Sequence, residues 1–240
     1  MKVNRDKTKV IHVHLKSVPR STHVFHMGEI NVDTIDKYPY LGMDINEFLD
    51  YTESATTLAN ASSRALGKLI SQYYELQGMP YKTYTKLYSN TVVPIMDYAS
   101  GVWGNKDYQK CNTVQHRAMR SYLGVGKVSP IPSLYGDMGW EPPLVRHHVE
   151  MTRLWLRLIK MPEDRITKHV FNWDQQVANA GHFSWSKEVK AIFSKCDLGN
   201  MFDTKSTLGR SAEYVLQTVR KRLYANHVKS WTILCRQCPD

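Results

Sequence analysis

The sequence predicts a mainly α-helical fold with a small antiparallel β element near its N-terminal end. Two patterns along the chain predict it. Over residues 9–43, apolar residues alternate with polar ones or form short runs, as they do in β-strands. From about residue 52 they recur about every 3.6 residues, as they do in amphipathic helices. A chain of 240 residues, 42% of them hydrophobic, is long enough to bury a core.

Short strands are predicted in the N-terminal part. Residues 9–15 alternate between two faces and predict a first strand, and residues 23–27 predict a second. Gly28 and Glu29 predict a hairpin turn into residues 30–35, after which residues 38–43 predict a further strand. Two or three short strands bury little area, so this element is not expected to be stable alone.

Two helical patterns follow. The first begins near residue 52 and is ended by Gly78. Its apolar stripe consists of Leu58, Ser62, Ala65, Leu66, Leu69, Tyr73 and Leu76. Pro80 suits the first turn of the second helix, and Pro94 predicts a kink or stop near Val93. The second stripe consists of Tyr84, Leu87, Tyr88, Thr91, Ile95, Tyr98 and Val102.

Four more helices are expected towards the C-terminal end. The third helix of the chain ends at Gly124 and Gly126, and its stripe consists of Cys111, Val114, Ala118 and Tyr122. Residues 124–143 are rich in Gly and Pro and predict a boundary. The remaining helices are expected at about 144–158, 185–196 and 211–231, and residues 161–184 are predicted to be a polar, irregular connector.

The distribution of charge indicates a polyanionic partner. The chain has 32 Lys and Arg against 22 Asp and Glu, a formal net charge of +10. Residues 1–60 hold 7 basic and 8 acidic residues, whereas residues 61–240 hold 25 and 14, so the whole surplus lies beyond residue 60. Nucleic acid is the usual partner of such a surplus, and a solvated basic surface with no dedicated partner is the alternative.

Other features of the composition limit where the protein works. The sparse cysteines favour reduced thiols over a disulfide framework. The charged N-terminal residues do not resemble a secretory signal, and no apolar run approaches the roughly 18 residues of a membrane span. We therefore expect an intracellular protein of the cytoplasm or nucleus, with no membrane partner and an oligomeric state that the sequence leaves open.

Four segments, in order, resemble one protein family. Asn4, Lys7, Thr8 and Lys9 have the spacing of an N-x-x-K-T-K box, and residues 38–42 read Y-P-Y-L-G. A third segment has the pattern P-x-x-x-Y…W…Q-x-R-x-x-R, formed by Pro94, Tyr98, Trp103, Gln115, Arg117 and Arg120. Residues 135–140 follow as Y-G-D-M-G-W. Together they resemble the C-terminal palm and thumb of jockey-like reverse transcriptases of non-long-terminal-repeat retrotransposons, over roughly residues 3–150.

The resemblance implies a division of the chain. Residues 1–50 would be a remnant of the palm with its primer-grip hairpin, residues 51–128 a helical thumb, and residues 129–240 a basic helical region after the thumb. The family's polymerase centre holds two Mg²⁺ ions on carboxylates that include an Asp-Asp pair. This sequence contains no Asp-Asp pair. Mg²⁺ is therefore expected only in a full-length parent enzyme, with the catalytic residues before Met1, and this chain is expected to be inactive by itself.

The same resemblance implies roles for particular residues. Lys7 would lie near an incoming nucleotide, and Tyr40, Leu41 and Gly42 would hold the primer end. The alternatives are an exposed lysine before a strand and an ordinary hairpin. Cations of the thumb would contact phosphates without reading sequence, and they are Arg64, Lys68, Lys82, Lys86, Arg117 and Arg120. Tyr73, Tyr74 and Tyr88 could add sugar or base contacts, although tyrosines at helical spacing more often belong to a core.

Rival sites are weaker. His12 and His14 share one strand face, but no third metal ligand stands at a helpful spacing, and His147 and His148 are far along the chain. Cys235 and Cys238 form a C-x-x-C pair, half of the four ligands that a structural zinc site needs. We therefore predict no metal site, while a truncated zinc module remains an alternative. No hydrolase motif is present. The alternative functions are a non-catalytic basic nucleic-acid-binding protein and a non-functional remnant of an open reading frame.

Overall fold

The computed structural model describes residue 4 and residues 7–237, with side chains as far as residue 230. It divides the chain into two compact units, residues 1–58 and residues 59–240. The second unit includes residue 128, where the sequence predicts the end of the thumb. The predicted fold class is confirmed at the level of a mainly helical chain with two small antiparallel strand pairs near its N-terminal end.

The first unit contains two β-hairpins. Strands β1 (Phe25–Met27) and β2 (Ile30–Val32) pair antiparallel. The predicted turn at Gly28 and Glu29 is confirmed, because Met27 pairs with Ile30 and Gly28 has the positive φ of 64° that glycine tolerates. Strands β3 (Lys37–Tyr40) and β4 (Met43–Asn46) form the second hairpin.

Two strand predictions are wrong. Residues 9–15 make only an isolated bridge, between Val10 and Thr34, and the next backbone hydrogen bond to a distant residue is from His14 to Glu47. This spacing leaves no continuous ladder, so alternation alone did not produce a strand. The strand predicted at residues 38–43 is instead interrupted by a turn at Leu41 and Gly42, both of which have positive φ.

Helix α1 (Thr52–Glu75) follows the hairpins, and the division between the two units falls within it. Just before the helix, the Asp50 carboxylate accepts a 3.1 Å hydrogen bond from the backbone N–H of Thr52, which has no partner within the helix. The predicted stripe is largely confirmed, because Leu58, Ser62, Leu66 and Leu69 are buried. Leu76 is 67% exposed, because the helix ends before it.

The second helical stripe loses its predicted phase after Tyr88. Helix α2 (Tyr81–Leu87) continues into a π-helical turn (Tyr88–Val92) and then α3 (Val93–Met96). A π turn holds one more residue than an α turn, so it rotates the following residues on the helix surface. Val92 and Met96 are therefore buried, whereas Thr91 is exposed and Ile95 only partly buried. The irregularity predicted at Pro94 is present as this turn and the helix end after Met96.

Three helices complete the middle of the chain. They are α4 (Ser100–Trp103), α5 (Gln109–Leu123) and α6 (Ile131–Met138). The predicted third stripe is confirmed on α5, where Cys111, Val114 and Ala118 are buried and Gly124 ends the helix with φ 67°. Helix α6 lies inside the Gly- and Pro-rich stretch that the sequence predicts to be a boundary.

The C-terminal helices pack around one long element, α7 (Pro143–Ile159), which contacts α4, α9 and α11. The others are α8 (Ile166–Asn179), α9 (Trp185–Lys195), α10 (Gly199–Asp203) and α11 (Ala212–Gln237). The core beneath them includes Trp155, Phe193 and Phe202, whose rings lie against one another. In the described part of the chain, no helix is both long and apolar enough to cross a membrane.

The predicted irregular connector at residues 161–184 is wrong, because α8 occupies most of it. Its buried face includes the polar residues Lys168 and Gln175, which obscured the apolar period in the sequence. The Lys168 ammonium donates 3.1 Å hydrogen bonds to the carbonyls of Leu158 and Ile159, at the end of α7. The last carbonyls of a helix lack partners within it, so this lysine is an internal cap for α7.

Candidate nucleic-acid interface

Two of the family-like segments meet in the first unit. The Lys7 backbone N–H donates a 3.2 Å hydrogen bond to the Asn4 side chain, and the Thr8 hydroxyl donates to the Asn4 carbonyl at 2.7 Å. Lys7 itself lies in a turn. The Tyr38 hydroxyl, from β3, donates to the Lys7 carbonyl at 3.2 Å. The Lys7 turn is therefore attached to the hairpin that contains Tyr40, and the side chain of Lys7 is exposed.

The tip of this hairpin is apolar and exposed. Tyr40 is 57% exposed and Leu41 is 72% exposed. Leu41 and Gly42 form the turn with φ of 48° and 83°. Positive φ at both central positions is the geometry that matches the twist of a two-residue hairpin, and leucine adopts it only at a steric cost. The tip can present an aromatic ring, an aliphatic side chain and a glycine backbone to a partner.

Four of the predicted thumb cations lie on exposed helix faces. Arg64 and Lys68 are four residues apart on α1, and Lys82 and Lys86 are four apart on α2. All four are exposed. Within the described residues none of them forms an ion pair with an acidic side chain. Each pair therefore presents two unneutralised charges along one helix face.

The two cations on α5 differ from each other. Arg117 is exposed and donates a 3.2 Å hydrogen bond to the Ser63 hydroxyl, which places it beside α1. Arg120 is half-buried and donates to the Ser129 carbonyl at 3.3 Å. Arg120 therefore holds the loop after α5, and only Arg117 is fully exposed to a partner.

The predicted tyrosines belong mainly to the interior. Tyr88 is buried and stacks on Trp140 with ring centroids 4.2 Å apart. Tyr73 is half-buried, and its hydroxyl donates to the Tyr122 carbonyl at 3.3 Å. Tyr74 is 62% exposed and is the one of the three predicted tyrosines that solvent reaches freely.

A buried ionic network lies behind this surface. Asp97 accepts hydrogen bonds from Arg146 Nε at 2.6 Å and from Arg146 Nη2 at 3.3 Å, an arrangement in which both carboxylate oxygens are used. Nε2 of His147 lies 3.0 Å from the same carboxylate. Gly104, at the end of α4, lets the backbone lie close to His147, because a Cβ atom at Gly104 would lie 2.6 Å from His147 Cβ. The network thus joins the segment after α3 to α7.

Gln115 extends the network to α5. Its carbonyl oxygen accepts a 2.6 Å hydrogen bond from Arg146 Nη1, and its amide donates to the Glu141 carbonyl at 2.8 Å. Arg146 Nη1 also donates to that carbonyl at 2.9 Å, and the Tyr88 hydroxyl donates to Gln115 at 3.3 Å. The Arg146 guanidinium therefore joins α7 to Gln115 of α5, and Gln115 in turn joins Tyr88 of the π turn.

Charge within the network is balanced internally. Burial would raise the pKa of Asp97, but Arg146 and the hydrogen bond from His147 outweigh it and leave that pKa below its ordinary value. Burial would lower the pKa of Arg146, but Asp97 outweighs it and raises that pKa above its ordinary value. Burial raises the pKa of the neighbouring Cys111 thiol to about 12, so the thiol stays protonated and unreactive near neutral pH. The network positions helices and offers no activated group.

The sequence prediction missed Arg146, which holds the network together. Pro94, Tyr98, Trp103, Gln115, Arg117 and Arg120 carried the pattern, but no motif included this arginine. A signal was present, because Arg146 is a charged residue among the apolar residues Leu144, Val145 and Val149 on α7. Its partner Asp97 is 49 positions away, so the pair is visible only in the folded chain.

The described residues form no metal site at His12 and His14. The rings of His12 and His14 stack 5.3 Å apart, and Glu47 lies 3.2 Å from Nε2 of His14. No group of three or more His, Cys, Asp or Glu among the described residues is arranged to hold a metal ion. Cys235 and Cys238 lie outside the residues whose side chains are described.

No protein-family model, no curated protein and no solved structure matches this chain. Its membership of the reverse transcriptase family therefore stays a prediction from the four segments.

Proposed function

We propose that this chain binds the phosphate backbone of nucleic acid, as the primer-grip and thumb end of a retrotransposon-type reverse transcriptase that does not polymerise by itself. The observation that carries the proposal is the set of cations on α1, α2 and α5. Arg64, Lys68, Lys82 and Lys86 are exposed and make no ion pair within the described part of the chain. Such side chains are available to contact phosphates.

The acidic residues of the same stretch strengthen this electrostatic argument. Residues 59–128 contain 9 Lys and Arg and only 3 Asp and Glu. One of the three acids, Asp97, is buried and neutralised by Arg146. The surface of the stretch is thus more positive than its composition alone indicates. A positive surface of this kind attracts polyanions, with an affinity that falls as salt is added.

The proximity of the family-like segments supports the second half of the proposal. In the first unit, Tyr38 contacts the Lys7 turn. In the second unit, Asp97 and Gln115 share Arg146, and Trp140 stacks on Tyr88 next to them. Within each unit, segments that resemble the family therefore contact each other, which supports a common origin for them.

Fluorescence anisotropy with a labelled 20-base-pair RNA–DNA duplex tests the binding. The log of the association constant should fall linearly with the log of salt concentration. The charge reversal Arg64→Glu/Lys68→Glu should remove two contacts and reduce the magnitude of the slope by about 1.8, if each contact contributes roughly 0.9 as it does on B-DNA. Arg157→Glu/Lys160→Glu, which changes the net charge equally on another surface, is the matched control.

Two results would contradict the proposal. A slope near zero for the unmodified chain would remove its electrostatic basis, and equal losses in the two double variants would show a response to net charge alone. Primer extension by the purified chain with Mg²⁺ or Mn²⁺ would contradict the absence of polymerase activity.

A further inference from the structure

A groove between α7 and the start of α11 uses none of the residues proposed to contact nucleic acid. Its volume is about 840 Å³. One wall is the exposed side of α7, and the other is formed by Ala212, Glu213 and Leu216 of α11. Met161, Pro162 and Arg165, between α7 and α8, and Thr167 at the start of α8 also line it. The groove therefore lies wholly within the second unit.

The rim of the groove is strongly basic. Arg153 and Arg157 on α7 and Lys160 directly after it follow one another at intervals of four and three residues, and Arg165 directly precedes α8. Arg153 pairs with Glu150 at 3.1 Å. The other three make no ion pair among the described residues. Among the described residues that line the groove, Glu213 is the only acid, and it accepts a 2.8 Å hydrogen bond from Gln217 on its own helix.

The floor of the groove is aliphatic. It is formed by Leu156, Met161, Ala212 and Leu216, which belong to the core of the second unit or pack against it. None of the described residues that line the groove has an aromatic ring. Proteins that hold single-stranded nucleic acid stack its bases on aromatic side chains, and this floor lacks such a platform. An aliphatic floor instead matches aliphatic side chains of a partner.

We infer that this groove binds an acidic amphipathic helix of a partner protein. Arg153, Arg157 and Lys160 span about 10 Å at 1.5 Å per residue, which is two turns of a helix. Carboxylates at positions i, i+4 and i+7 of a partner helix repeat at the same spacing. Leu or Ile side chains on the adjoining face of that helix would enter the groove over Leu156 and Leu216, in the manner of other helix-in-groove complexes.

Fluorescence anisotropy with a labelled synthetic peptide tests this inference on the full chain. The probe is a 16-residue helical peptide with Leu at core-facing positions and Glu at the flanking positions. Two matched peptides replace every Leu by Ser or every Glu by Lys. The protein variants are Arg157→Glu/Lys160→Glu and, as a control of equal charge, Arg64→Glu/Lys68→Glu.

The inference predicts that the Leu and Glu peptide binds and that both matched peptides bind at least tenfold more weakly. Arg157→Glu/Lys160→Glu should weaken binding at least tenfold, and Arg64→Glu/Lys68→Glu should change it less than threefold. No binding at a peptide concentration of about 100 µM would overturn the inference, because a dissociation constant of that size is already weak for a protein complex. Equal binding of the Ser peptide would also overturn it, because the floor would then contribute nothing.

A nucleic-acid occupant gives a different pattern. If Arg157→Glu/Lys160→Glu weakened binding of the RNA–DNA duplex as much as binding of the peptide, the groove would be part of the nucleic-acid surface and the inference would fail. If instead only the Arg64→Glu/Lys68→Glu variant lost duplex binding, the nucleic-acid proposal and the peptide groove would both stand. The two proposals can therefore fail separately.

Discussion

Replacement of Asp97 by Asn should destabilise the second unit strongly. Within the described part of the chain, the carboxylate of Asp97 is the only charged partner of Arg146, and it accepts two hydrogen bonds from that guanidinium and one from His147. The two side chains are 11% and 17% exposed, so water does not replace the lost partner. Removal of one member of a buried ion pair costs about 3–5 kcal/mol, because the other charge is left uncompensated.

This cost corresponds to a measurable change in melting temperature. For a chain of this size, each kcal/mol lowers the melting temperature by about 2–4 °C, so Asp97→Asn should lower it by roughly 6–20 °C. Differential scanning calorimetry and urea unfolding followed by circular dichroism would both measure the effect. Arg146→Met should be comparably destabilising, because it leaves Asp97 buried with only His147 as a partner.

Asp203→Asn is the matched control. Its carboxylate pairs with Lys190 at 2.9 Å but is 56% exposed, and exposed ion pairs contribute at most about 1 kcal/mol. If Asp97→Asn destabilised the protein no more than Asp203→Asn, the buried network would not be holding α5 and α7 together. The buried ion pair would then contribute no more to stability than an exposed ion pair.

Two further predictions concern protonation and the hairpin turn. Burial, with Arg120 near His116 and Lys195 near His148, lowers the pKa of both histidines to about 4. Below pH 6.5 the unfolded chain therefore binds protons that the folded chain does not. The free energy of unfolding should fall as pH decreases from 6.5 towards 4, by about 1 kcal/mol per histidine per pH unit. Equal urea midpoints at pH 7 and pH 5 would contradict this prediction. Leu41→Asn should stabilise the β3–β4 hairpin by about 1 kcal/mol, because Asn tolerates positive φ better than Leu; unchanged amide exchange at Tyr38 would contradict it.

The sequence predicted elements whose residues bury apolar groups at a regular period. The first helix and the stripe of α5 both follow from spacing, because one face of each helix is apolar enough to indicate its position. The turn at Gly28 was also predictable from the sequence, because few residues other than glycine adopt its backbone geometry readily.

Tertiary structure decided the elements whose inward residues are polar. Helix α8 was missed because Lys168 and Gln175 face the interior, and Lys168 does so in order to bond the last carbonyls of α7. The phase after Tyr88 was wrong because a π turn changes which residues face inward without changing the sequence pattern. For α8 the deciding partner lies on another helix, and after Tyr88 the local backbone geometry decides which residues are buried.

The same distinction between sequence and tertiary structure applies to the candidate site. The positive charge of residues 59–128 and the positions of Arg64, Lys68, Lys82 and Lys86 were evident from the sequence, because charge and helical spacing are local properties. Only the folded chain joined Asp97 to Arg146 and left those cations without acidic partners in the described residues. Pairing between distant side chains depends on how helices pack, which no local pattern determines.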